Sequence, residues 1–171
     1  MAWLRRKAAE VLGALGVKTA LWNIHIVNDD AMAALHEQTM GLPDTTDVLT
    51  FDMRDEQRAA EEGEAVELET VICADEAERR AQELGHPVRH ELLLYCVHSL
   101  LHVQGHDDVT AAKSRRMHAR EDELLVTLGV GTVYGSAESA GGISGARNGG
   151  QNGGRAARKV PRRAALREKQ R

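Results

Sequence analysis

Apolar positions recur at helical spacing near the start of the chain, where Trp3, Leu4, Ala8, Val11, Leu12 and Leu15 share a face and Gly16 closes the stretch. Thr19–Val27 then concentrates Leu21, Trp22, Ile24 and Ile26 in a short run, which predicts a strand. Asp29 or Asp30 is placed to cap a helix over Ala31–Thr39, and Gly41-Leu42-Pro43 ends it. Asp47–Phe51 reads as a short strand, Arg54–Glu64 as an acidic loop and Val66–Cys73 as the next strand. Asp75-Glu76-Ala77-Glu78 opens a helix that runs to Leu84-Gly85. Pro87 suits the first turn of another, where its missing N–H does no harm. In that helix Leu92, Leu93, Val97, Leu100 and Leu101 cover so much of the surface that a central, buried position is expected; Gly105 ends it. Thr110 opens a last amphipathic helix with Met117, Leu124, Leu125 and Leu128 on its inner side, closing at Gly129. The mixture predicts an α+β (mixed α/β) fold, a small mixed sheet packed with helices.

The pattern stops near Tyr134-Gly135. Beyond it the chain is Gly- and Asn-rich and then Arg- and Lys-rich, with too few apolar side chains to offset the entropy of ordering it. Residues 1–134 are therefore expected to form one domain and residues 135–171 a disordered basic tail. Charge divides at the same place. Residues 1–134 carry 13 Lys/Arg against 24 Asp/Glu, a net −11, whereas 135–171 carry 9 against 2, a net +7. An acidic body with a basic tail suits an anionic partner such as nucleic acid. Aromatic content of 3% argues against a platform that stacks bases. The longest apolar run, Leu92–Val97, is far short of the roughly 20 residues a membrane span requires. The N-terminus lacks a secretion-signal pattern, so a cytoplasmic, non-membrane protein is expected. Cys73 and Cys96 sit in apolar runs without metal spacing and read as buried, reduced thiols.

Candidate chemistry gathers in His98-Ser-Leu-Leu-His102-Val-Gln-Gly105-His106-Asp107-Asp108. His98 and His102 lie one turn apart on one face of the buried helix. Two neutral imidazoles so placed suit one zinc ion, which commonly takes three protein ligands at a catalytic site. Unpaired imidazoles in a Leu-rich helix would be costly to bury. Gly105 lets the chain turn sharply and return a third ligand, either Asp108 or His106. Asp107 is placed to orient a ligand or to cap the following helix. The spacing also matches metzincin proteases, but Ser99 stands where those enzymes carry their general-base Glu, which disfavours a metalloprotease.

These residues resemble the signature of the YbeY family, His-Gly-x-Leu-His-Leu-x-Gly-Tyr-Asp-His. A second block of that family, Pro-Thr-Asp-Val-Leu-Ser-Phe, is similar to Thr45-Thr46-Asp47-Val48-Leu49-Thr50-Phe51. The resemblance runs over about residues 3–130. It implies a zinc-dependent endoribonuclease, preferring single strands, that acts in ribosomal RNA maturation and ribosome biogenesis, with ribosomal RNA or the small subunit as partner. It also implies that one zinc ion is held by His98, His102 and the residue at the third histidine position, here Asp108. The chain departs from the family in Asp108, in His106 for Tyr, in Ser99 for Gly, in Leu68-Glu69-Thr70 for Leu-Gly-Asp, and in Met40 where the family has an Arg. Met cannot hold a phosphate, so a non-catalytic, zinc-stabilised ribosome- or RNA-binding factor is the alternative. Arg115, Arg116 and Arg120 on the last helix are candidate RNA contacts, and the basic tail a source of non-specific attraction.

Overall fold

The computed structural model describes residues 1–54 and 65–134; the acidic segment after Arg54 and the tail from Gly135 lie outside the described residues. The elements are α1 (Ala2–Ala14), β1 (Thr19–Val27), α2 (Asp29–Met40), β2 (Val48–Asp52), β3 (Ala65–Cys73), α3 (Ala74–Leu84), α4 (Val88–Val103) and α5 (Ala111–Thr127). β3 is the middle strand, parallel to β1 and antiparallel to β2. The α+β architecture expected from the sequence is the one observed.

The two-residue period of β3 organises the core. Val66, Leu68 and Ile72 face the larger apolar cluster with α4, α1 and α5, whereas Val71 and Cys73 join Met32, Leu49 and Phe51 in a smaller one with α2. Helix α4 lies against the sheet and the other long helices, and eleven of its 16 residues are buried. That excludes an amphipathic surface helix and places the histidines inside the domain. Leu21, expected to supply bulk to β1, is instead 58% exposed, because the alternation turns Trp22, Ile24 and Ile26 inward and Leu21 outward on an edge strand.

Several polar contacts fix the helices. The cap of α2 is Asn28, not Asp29 or Asp30: the Asn28 Oδ1 accepts from the Ala31 N–H at 3.0 Å. Asp29 is otherwise engaged. Arg79 and the Cys73 thiol bond its carboxylate and hold its pKa far below the usual carboxylate value. Pro87 precedes α4 with extended backbone rather than opening its first turn, so the helix begins at Val88. Both cysteines are free and buried, and burial pushes the Cys96 thiol up to about 12.

Helix α4 is tied to the sheet by hydroxyls. The fully buried Ser99 Oγ lies 2.7 Å from Thr50 Oγ1 and 2.8 Å from Thr70 Oγ1, and Trp22 donates its indole N–H to Thr70 at 2.8 Å. Thr50 and Thr70 are register partners in neighbouring strands, so one helix side chain reads both. Ser99→Ala strands the Thr50 hydroxyl, leaves Thr70 with the Trp22 contact, and is expected to cost about 1–3 kcal/mol, measured by chemical denaturation.

Candidate metal centre

Three chain segments build the site. Helix α4 supplies His98 and His102, four residues and one turn apart on one face of the helix. Gly105, with φ of +89°, then adopts the left-handed conformation that glycine tolerates, and the chain folds back over the helix end. The return carries the His106 carbonyl to 3.1 Å from His102 Nδ1 and brings Asp108 beside both imidazoles. Helix α5 supplies Glu121, whose Oε1 lies 2.6 Å from His98 Nδ1 and which is wholly buried.

Those contacts decide the tautomers. A carbonyl and a carboxylate oxygen accept hydrogen bonds, so each Nδ1 carries the proton and each Nε2 presents a bare lone pair. The two Nε2 atoms face one another at 3.0 Å. Asp108, 7% exposed, sets one carboxylate oxygen 3.9 Å from His98 Nε2 and the other 3.7 Å from His102 Nε2. Its Oδ1 is buried with no hydrogen-bond partner. Zinc bonded to nitrogen and oxygen at its usual lengths holds tetrahedral neighbours about 3.3 Å apart. The three observed separations bracket that value, and one atom from each of His98, His102 and Asp108 lies within 4.8 Å of the others. Two facing lone pairs and an unpartnered anionic oxygen, all desolvated, call for a cation between them. Burial and the neighbouring His98 lower the His102 pKa from its ordinary value, favouring the neutral, ligating form.

The other predicted residues fall elsewhere. His106 is exposed as a whole with its ring partly desolvated, and its carbonyl, not its imidazole, contacts a ligand histidine. Asp107 turns away: Oδ1 accepts from the Val109 N–H at 2.8 Å and Oδ2 pairs with Lys113 at 2.6 Å. It fixes the turn into α5, which Thr110 caps through the Lys113 N–H. Arg115 and Arg116 are exposed on α5; Arg120 pairs with Glu123 at 2.6 Å, and its charge helps burial to lower the His106 pKa. Asp47 secures the start of β2 by accepting from the Val48 N–H at 2.8 Å. Met40 packs against the smaller core. His36, outside the cluster, is 5% exposed with Nδ1 at 2.6 Å from the Asp44 carbonyl.

Sequence reasoning missed two residues. Glu121 is one of several acids on a charged helix, although its position continues the Met117, Leu124, Leu125, Leu128 stripe and so faces inward. Arg54, assigned to the acidic loop, is 7% exposed. Its guanidinium grips Asp52 at 2.8 and 2.9 Å and donates to the Val103 carbonyl at 2.8 Å, on the last residue of α4. No periodicity marks it, and one of its partners, the Val103 carbonyl, lies at the far end of another element.

The fold and the cluster define an α+β domain with a candidate His-His-Asp metal centre on its central helix. Comparison with known proteins gives the family: the model described as Endoribonuclease YbeY matches residues 2–129, and the chain belongs to that family. A relative from Thermobifida fusca, named Endoribonuclease YbeY, is 37% identical over 127 residues, 71% of this chain and 81% of its own length. One of the same name from Corynebacterium efficiens is 38% identical over 109 residues, 60% of this chain, and the match spans only 54% of that relative's length. In fold, the chain is similar to TM1509 from Thermotoga maritima, with a TM-score of 0.51 at 24% identity over 86% of this chain and 89% of that one.

Proposed function

We propose that this protein is a zinc-dependent endoribonuclease that cuts single-stranded RNA during ribosomal RNA maturation in the cytoplasm. The observation that carries the reading is the pair of bare His98 and His102 Nε2 atoms closing on the unpartnered Asp108 carboxylate. Membership of a family named for endoribonuclease activity gives the reaction class. His98, His102 and Asp108 would hold the ion, which supplies Lewis acidity for attack of water on a phosphodiester. The protein's own part is to hold the two imidazoles in one tautomer and to keep their Nε2 atoms desolvated.

Approach of RNA needs positive charge, which the acidic body supplies only locally. Arg115 and Arg116, exposed on the helix that backs the site, are the nearest fit. Arg115→Ala/Arg116→Ala is expected to weaken RNA binding by about 1–2 kcal/mol and to flatten its salt dependence by about two counterions, read from affinities across a salt series. Among the described residues no helix is long and apolar enough to cross a membrane.

The second reading, a zinc-stabilised RNA- or ribosome-binding factor without catalysis, is favoured by Met40, whose thioether joins the apolar core. Incubation of the protein with single-stranded and structured RNA, with and without chelator, separates the two. Chelator-sensitive cutting of the single strand supports the enzyme; zinc binding without cutting supports the factor. A metalloprotease lacks its base, since Ser99 points into the sheet.

A further inference from the structure

We infer that Glu121 is the positioning residue of the metal centre: its carboxylate fixes His98 as the Nδ1–H tautomer and aims Nε2 at the ion. This rests on the metal-site reading above. The contact spans 23 residues of sequence and joins two helices, with Oε1 2.6 Å from Nδ1 and the whole side chain buried. Met117, Leu124 and Leu125, all buried, surround it on the inner face of α5, so the carboxylate sits on a rigid element and cannot swing away.

The two histidines are held unequally. His102 Nδ1 donates to the main-chain carbonyl of His106, a neutral acceptor on a loop. His98 Nδ1 donates to an anion on a helix, a shorter, charge-assisted bond that fixes the ring more firmly. His98 is thus the strong, preorganised ligand and His102 the adaptable one.

A carboxylate buried only to support the fold would stabilise the protein without setting a tautomer or an affinity. Two measurements on the full chain separate these roles. Ring-nitrogen chemical shifts in the metal-free protein report the His98 tautomer, and competition with a chromogenic chelator reports zinc affinity. Glu121→Gln, nearly isosteric, keeps an acceptor but loses the charge; Glu121→Ala loses both. Zinc affinity is expected to fall about 10- to 100-fold in Glu121→Ala and by less in Glu121→Gln. In Glu121→Ala the His98 ring also loses its single tautomer. Met117→Ala, a packing variant of the same helix face, is expected to lower the melting temperature while leaving zinc affinity intact. If Glu121→Ala does not fold, Glu121→Gln decides alone. Wild-type affinity and an unchanged His98 tautomer in the folded variants overturn the inference. If the wild type takes up no zinc, or His102→Ala binds it equally well, the metal-site reading falls and takes this inference with it.

Discussion

His102→Ala is expected to abolish tight zinc binding and to reduce RNA cleavage at least about a hundredfold. A metal contributes several kcal/mol of transition-state stabilisation, and each 1.4 kcal/mol or so is a factor of ten in rate. The substitution removes one of three candidate ligands and leaves His98 Nε2 and Asp108 to hold the ion alone. Fold should survive, because His102 is only partly buried and its Nδ1 contact is to a loop carbonyl. Asp108→Ala is expected to act likewise, whereas His106→Ala keeps zinc, since its ring is not among the clustered ligand atoms. Full occupancy in Asp108→Ala with loss in His106→Ala reverses that assignment. Acid has the same effect as His102→Ala by another route. Protons compete with zinc for Nε2, and burial with the neighbouring His98 lowers the His102 pKa, which favours the neutral ligand. Occupancy is therefore retained through the ordinary histidine range and lost as pH falls below it, which metal analysis after dialysis over a pH series would show.

The metal helix was legible because its evidence is local. Histidines one turn apart, a glycine at the helix end and an acidic residue within reach lie in a single short segment, and each follows from backbone geometry. The core was legible for the same reason: Leu4, Ala8, Val11, Met117, Leu124 and Leu125 repeat with the helix period and are buried. What stayed hidden depends on tertiary contact. Glu121 looks like any helix carboxylate until α5 is laid against α4. Leu21 looks like core until the strand is known to be an edge. The cap of α2 passed to Asn28 because Arg79, fifty residues away in sequence from Asp29, had taken the aspartate.

Arg54→Met is expected to destabilise the protein by about 3–5 kcal/mol, the largest loss predicted for any single change outside the metal ligands. The guanidinium is buried with its partner: Asp52 is 5% exposed and Arg54 7%. Removing the cation leaves a desolvated carboxylate at the end of β2 and frees the Val103 carbonyl at the end of α4, where no further helical N–H can reach it. The bidentate pairing holds Arg54 charged, its pKa raised by the Asp52 hydrogen bonds, so the ion pair persists at every pH at which Asp52 is ionised. Asp52→Leu/Arg54→Met removes both charges together and is expected to recover much of the loss, because a buried pair replaced by apolar side chains often costs little. Denaturant melts of the wild type, both single variants and the double variant close the cycle. Additive losses would mean that the two side chains act separately. Strong coupling would mean that the strand and the metal helix are fastened by this one pair, one residue beyond His102. In that case Arg54→Met should also weaken zinc binding by loosening the end of the helix that carries the ligand.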